Sequence, residues 1–371
     1  MSHVVIVGAG TIGSHVVSHV ARRSNVTHIS VIDPDRYEPR NLRVQEIVPA
    51  DVGRPKADVQ ARRALDLNSE VVAQAFPQPV ETLPLGWLDA DVILSCVDSR
   101  RARMVINQAA WRLGVPWINA GIDTAGLLAR VQVLVPGPDA PCLECAWDQR
   151  DYELVEQTYP CQDAAVPAET GATASLGALA AALQAIECDK LLDGDRAGLL
   201  ADRDVLIDAR HHRHFVTEFR RNHACRMPDH APWSIAPLAT DPASTSFNEL
   251  MARAETLTGS GVRMSVAGQQ WALALTCDVC GRRAPTGQLD RSGFGRGVAP
   301  CTHCGGRTRA AGFDLRDAIA VENVPVSVRA WPIASLGLLA GDVLTFTTSD
   351  AAIHVELIGE RALAPGSGGA A

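Results

Sequence analysis

Three Cys-x-x-Cys pairs, one glycine-rich turn and several carboxylates at strand ends carry the chemistry available to this 371-residue chain. Cys277/Cys280 and Cys301/Cys304 lie twenty residues apart, an interval that suits two knuckles converging tetrahedrally on one Zn²⁺. Such a four-cysteine site is closed to substrate, so its expected role is structural; paired disulfides are the competing assignment. The third pair, Cys142/Cys145, has no second pair nearby. With no basic n-region or cleavage site in the opening residues, these thiols are expected in a reducing cytoplasm, where paired cysteines hold metal more often than disulfides.

The second chemical group is Gly8-Ala-Gly10-Thr-Ile-Gly13, which follows an apolar β-branched run and opens a helix-period segment. In that context Gly8 permits the tight turn, Gly10 lets backbone approach phosphate and Gly13 lets helix and strand pack closely. The helix N-terminus adds free N–H groups and the positive end of its dipole. Asp33 ends the second strand, where a carboxylate can accept from ribose hydroxyls.

These residues alone suit a nicotinamide oxidoreductase. The residues that follow argue for different chemistry. Asp33-Pro-Asp35 leads into Asn41-Leu-Arg43-Val-Gln45, Lys56 opens the next helix, and Asp98 ends the fourth strand with Arg103 and Asn107 after it. A lysine and an aspartate at that crevice neutralise phosphate and hold Mg²⁺, which hydride transfer does not need and nucleotidyl transfer does.

This ordered set resembles the ThiF/MoeB family, the adenylating enzymes related to ubiquitin-activating enzymes, over roughly residues 1–230. The resemblance implies that ATP is the nucleotide and that a C-terminal carboxylate attacks its α-phosphate. Its owner would be a ubiquitin-like protein, a sulfur carrier or a peptide. By the same resemblance Asp33, with Asp35 beside it, binds ribose; Asn41, Gln45 and Lys56 hold phosphates; Asp98 coordinates Mg²⁺. Family members place an arginine directly before the glutamine. Here that position is Val44, and Arg43 is the substitute.

Relatives complete the Cys142/Cys145 site with two ligands after a pair of antiparallel strands. The corresponding stretch gives Cys225 and His230, with His223 as a competitor, so a second Zn²⁺ is expected there. Cys161, in the polar segment before Gly171, is the candidate thiol for receiving the acyl group as a thioester. The family also implies a homodimer and a downstream conjugating or sulfur-transfer enzyme.

Strands alternating with helices through residue 130 require a mostly parallel sheet with helices on both faces, a Rossmann-like α/β fold. Antiparallel strands are expected at 127–137, where alternation implies a more exposed strand, and at 204–221. Residues 148–170 are expected as a mobile crossing and 232–246 as a linker. The resulting domains are 1–235 for adenylation and 236–371 for a small β-rich unit with the zinc ribbon (277–304) and a disordered tail. A net charge of -8 offers no footprint for nucleic acid or anionic lipid, and no apolar run is long enough to span a membrane. The other functions weighed are the oxidoreductase and a noncatalytic zinc-stabilised scaffold.

Overall fold

The computed structural model of the chain describes residues 1–156, 173–227, 230–291 and 300–359. Its contacts divide into two compact units, Met1–Val80 with Leu88–Pro232, and Glu81–Trp87 with Trp233–Ala371.

In the first unit, β1 (Ser2–Val7), β2 (Val26–Ile32), β3 (Val72–Phe76), β4 (Val92–Ser95) and β5 (Trp117–Asp123) are parallel. β6 (Leu128–Leu134), β7 (Arg203–Asp208) and β8 (Arg213–Glu218) extend the sheet antiparallel, giving the order β3-β2-β1-β4-β5-β6-β7-β8. The helices are α1 (Gly13–Val20), α2 (Lys56–Leu67), α3 (Arg100–Leu113), α4 (Gln149–Glu156) and α5 (Thr173–Leu192). The expected α/β fold is present. The strand order reverses beside β1, and the crevice at the carboxyl ends of β1 and β4 is therefore the place where such sheets take ligands.

The Ala-rich α5 supplies small buried residues, Ala180, Ala181, Ala185 and Cys188, that let it lie close to Ile118, Ala120, Ala129 and Val131. The alternate residues of those strands, Asn119, Gln132 and Arg130, face the opposite side, toward α3. β6 is thus mostly buried, against the expectation of an exposed strand, because α5 covers one face and a polar chamber lies on the other. β4 ends at Ser95, sooner than the composition of 91–98 implied. Beyond it Cys96 donates its N–H to Val7 O (2.7 Å), which leads the chain under the glycine turn. Within the expected crossing, residues 149–156 are helical and Arg100 pairs with Asp151 (2.5 Å); 157–172 lie outside the described residues.

In the second unit, β9 (Ile235–Ala239), α6 (Phe247–Thr258), β10 (Arg263–Val266), β11 (Gln270–Cys277) and β12 (Arg283–Asp290) come first. β13 (Thr308–Arg309), β14 (Leu315–Arg316), β15 (Ala318–Ile319), β16 (Val343–Thr347) and β17 (Ala352–Ile358) follow. They make one sheet ordered β15-β10-β16-β17-β9 and another built on β11. Phe247, Trp271 and Phe346 are fully buried between them, and the Ser246/Glu249 capping box starts α6. The expected linker instead contains β9, which pairs in parallel with β17. Pro237 is tolerated there because β9 is an edge strand, where a missing N–H breaks no ladder bond. The tail from 360 onward lies outside the described residues.

Candidate functional site

Each of the three motif glycines is required for a different reason. Gly8 has φ +91°, and a Cβ there would stand 2.7 Å from Cys96 O; at Gly13 a Cβ would stand 1.8 Å from Gly8 O. At Gly10 a Cβ would meet only Gln45 Nε2, at 3.9 Å. Gly8 and Gly13 are therefore fixed by internal packing, whereas Gly10 leaves its backbone open to an approaching group. Gln45 lies across from it with a buried Oε1 that has no hydrogen-bond partner among the described residues.

Asp33 orders this turn. Its Oδ2 accepts from Ala9 N–H (2.6 Å) and its Oδ1 from Asp35 N–H (2.8 Å). Burial raises its pKa, opposed by Lys56 and by those two N–H groups. Tyr37 holds the other side of Ala9, donating to its carbonyl (2.8 Å) and receiving from Gln60 Nε2 (2.8 Å). Neither Tyr37 nor Gln60 was anticipated, since nothing in their local spacing marks them.

Lys56, almost fully buried at the start of α2, places Nζ 2.9 Å from Asp35 Oδ2. Asn41 closes a 3₁₀ turn by accepting Glu38 N–H on Oδ1 (2.8 Å). Arg43 on that turn is exposed and unpaired among the described residues. Asp98 is exposed just beyond β4, and Ser99 after it caps α3. Because Gly8 abuts Cys96 O and Val97 N, the segment leading into Asp98 is held against the glycine turn. From α5, Gln184 donates to Ser95 O (3.1 Å) and Ile118 O (2.7 Å), tying down the ends of β4 and β5. It also accepts from Cys96, whose thiol burial pushes up to about 12. Cys188, likewise at about 12 by burial, is an inert core thiol, and Cys161 lies outside the described residues.

A cavity of about 540 Å³ opens at Asp98 and runs over the polar face of β5 to β7, with Arg103 and Asp204 among its lining residues. Leu143, Ala146 and Trp147 wall one side. That wall is the knuckle of the first cysteine cluster, in which Cys142, Cys145, Cys225 and His230 bring their ligand atoms together.

Cys142 Sγ lies 3.8 Å from both Cys145 Sγ and Cys225 Sγ. His230 Nε2 lies 3.2 Å from Cys142 Sγ and 3.4 Å from Cys145 Sγ. Tetrahedral Zn²⁺ with bonds of about 2.0–2.3 Å sets ligand atoms about 3.5–3.8 Å apart, so this donor set fits the ion. The hydrogen bond from Cys142, aided by Arg221, lowers the pKa of the Cys145 thiol, and the same bond raises that of Cys142. The knuckle rests on Asn107, which accepts Leu143 N–H (3.0 Å) and donates to buried Glu144 (3.1 Å). His230 packs edge-on to Trp111, while His223 is exposed and outside the cluster.

In the second cluster, Cys277 and Cys304 sulfurs are 3.4 Å apart and those of Cys280 and Cys301 3.7 Å. This set fits the same ion. Each knuckle closes on a left-handed glycine, Gly281 (φ +69°) and Gly305 (φ +71°), whose N–H returns to the carbonyl of Cys277 or Cys301. Backbone N–H groups of His303 and Cys304 bring the Cys301 thiol down to about 6.

The ThiF family model matches residues 1–227. The sulfur carrier protein ThiS adenylyltransferase of Escherichia coli (strain K12) is 30% identical over 196 residues, covering 52% of this chain and 73% of that protein. The ubiquitin-like modifier-activating enzyme 5 of Oryza sativa subsp. japonica is 32% identical over 158 residues, 38% of this chain and 37% of the relative. The chain thus spans well under half the length of the modifier-activating relatives it matches. Among solved structures, Escherichia coli MccB with AMPCPP and MccA aligns at TM-score 0.50 and 25% identity, covering 61% of this chain and 66% of that one. The glycine turn, the strand-end acids and the first cysteine pair all lie inside the matched region, and the chain belongs to the ThiF family.

Proposed function

We propose that the chain adenylates the C-terminal carboxylate of a ubiquitin-like protein, a sulfur carrier or a peptide, using ATP and Mg²⁺. The observation that carries this reading is the open backbone at Gly10, where the nearest group to a Cβ is the donor Gln45 Nε2 at 3.9 Å, with Lys56 and Asp98 at the same end of the sheet. The acceptor's carboxylate oxygen forms a bond to the α-phosphorus as the bond to the bridging oxygen breaks, and pyrophosphate leaves. No general base is needed, because the attacking carboxylate is already ionised at neutral pH.

The obstacle is charge repulsion between an anion and a triphosphate. Lys56, exchanging its Asp35 partner for phosphate, and the N–H groups of the glycine turn and α1 lower that repulsion from fixed positions. Mg²⁺ on Asp98 supplies further screening of the phosphate oxygens. Asp33 fixes the turn and offers its remaining lone pairs to ribose; Asn41 and Arg43 complete the phosphate side. In a second step the Cys161 thiolate attacks the acyl carbon, forming a thioester and releasing AMP.

The relatives favour this reading: one is named for adenylating ThiS, and another was solved with AMPCPP and MccA. Zn²⁺ in both cysteine clusters is structural. The protein acts as a homodimer in the cytoplasm, and its second unit recruits the carrier or the downstream conjugating or sulfur-transfer enzyme. Mg²⁺-dependent exchange of labelled pyrophosphate into ATP, requiring the cognate carboxylate, tests the reaction. Asp98→Ala is expected to lose that exchange while keeping its fold by circular dichroism; full exchange in this variant refutes the assignment.

A further inference from the structure

The chamber beside Asp98 is lined by an ordered set of polar side chains. Strand register sets Asn119 opposite Gln132 and Gln132 opposite Asp204. A relay of hydrogen bonds follows that register. Ser95 Oγ donates to Asn119 Oδ1 (3.2 Å), Asn119 Nδ2 to Gln132 Oε1 (2.7 Å), and Gln132 Nε2 to Asp204 Oδ2 (3.3 Å). Arg130 Nε stands 3.3 Å from the same Asp204 oxygen. Every amide is oriented, and the relay ends on Asp204 Oδ2; the other carboxylate oxygen, Oδ1, is buried and has no hydrogen-bond partner among the described residues.

Nearer Asp98, Arg103 Nη2 donates to Val97 O (2.7 Å), while its Nε is buried without a hydrogen-bond partner among the described residues. Gly121 makes room for it, since a Cβ there would come within 3.3 Å of Nη2. Burial raises the pKa of Asp204 against Arg130 and Gln132, and it lowers that of Arg103 against Asp98. Both groups are thus held where a polar guest relieves a standing cost of desolvation.

We infer that this chamber takes the last residue of the acceptor: Arg103 holds the carboxylate, and Asp204 accepts a hydrogen bond from a neutral donor side chain, an amide or a hydroxyl. The inference rests on the adenylation reading and narrows its substrate. Three arginines and three aspartates line the chamber together, so it has no excess of either charge to reward a charged side chain, and an ion of either sign also faces its like. Glycine or an aliphatic residue brings the carboxylate for Arg103 but offers no donor to Asp204 Oδ1. Sites built to hydrogen-bond a side chain discriminate strongly against substrates that lack it.

Short peptides identical except for a final Asn, Ser, Gly, Leu, Asp or Lys test this by ATP–pyrophosphate exchange. Peptides ending in Asn or Ser are expected to exceed Gly and Leu by about ten- to hundredfold in kcat/KM, the effect of one unmade buried hydrogen bond. Asp and Lys fall lowest. Asp204→Ala brings the Asn-to-Gly ratio close to one while ATP still raises the melting temperature; should that variant not fold, Asp204→Leu fills a similar volume without an acceptor and is read the same way. Equal rates, a preference for Gly, or no exchange with any of these peptides despite ATP-dependent stabilisation overturns the inference and leaves adenylation standing. A chain that ATP does not stabilise overturns the adenylation reading, and this inference with it.

Discussion

The two cysteine clusters offer the same chemistry in opposite settings. The first joins Cys142 to Cys225, 83 residues further on, is sealed by Trp111 and Met227, and rests on the buried amide of Asn107. The second joins two neighbouring knuckles, each closed by its own backbone, with Cys280 and Cys304 exposed. A metal that ties together distant, buried segments is part of how those segments fold. One that staples a local turn stabilises little beyond it. The first cluster also walls the chamber at Asp98, so its loss reaches the proposed chemistry.

The largest expected effect separates the clusters directly. Cys142→Ser removes a ligand from the buried set and is expected to lower bound zinc by one ion per chain. Exchange falls about a hundredfold or more, because a 1 Å misplacement near reacting groups is already that costly. Cys301→Ser removes one zinc as well, yet leaves exchange within about twofold, as expected of a change remote from the reacting groups. Metal content and pyrophosphate exchange measured on the same samples decide this, and equal losses in the two variants break the comparison.

A smaller effect concerns what supports each cluster. Asn107→Ala strands Leu143 N–H and takes one donor from the carboxylate of Glu144, which is 2% exposed and keeps Gln108 and Tyr152. Leaving such groups unpaired costs about 1–3 kcal/mol. Around the second cluster the comparable bond is Arg309 to Asp278 (2.7 Å), with side chains 68% and 46% exposed. Solvent screens that pair, so Arg309→Ala is expected to cost less than about 1 kcal/mol. Denaturant midpoints of the two variants check the difference, and a larger loss in Arg309→Ala contradicts it.

What was legible from sequence follows the same division between local and distant. The glycine turn, α2 from Lys56 and the four-cysteine spacing are local patterns, and each is found where the pattern put it. Tyr37 and Gln60 escaped notice because their function comes from reaching Ala9 across 28 residues and Tyr37 across 23. The chamber was invisible for the same reason. Asn119, Gln132 and Asp204 meet only through strand register, and Asp204 lies 72 residues beyond Gln132. β9 was hidden by composition, since Pro237 argues against a strand until β17 is seen to pair with it on one side only. Segment Glu81–Trp87 packs with the second unit through Trp87 Nε1 to Ala340 O (3.0 Å), a contact 253 residues apart that no local window contains.

The smallest effect is a silence that the comparison requires. Chelators remove zinc by way of exposed ligands and transient openings, and the free energy of metal binding is also folding free energy where the metal joins distant segments. Exposed Cys280 and Cys304 give a chelator direct access to the second ion. At the first cluster, Cys142 is fully buried and its departure requires Trp111, His230 and the Asn107 knuckle to open together. Mild chelation is therefore expected to proceed in two phases. The first removes about one ion per chain and leaves exchange and the nucleotide-dependent melting shift unchanged; the second, slower phase removes the other ion together with activity. Following released zinc with a colorimetric dye while sampling exchange resolves the phases. If activity falls with the first ion released, the exposed cluster supports the catalytic unit after all, and the assignment of a purely local role to it fails.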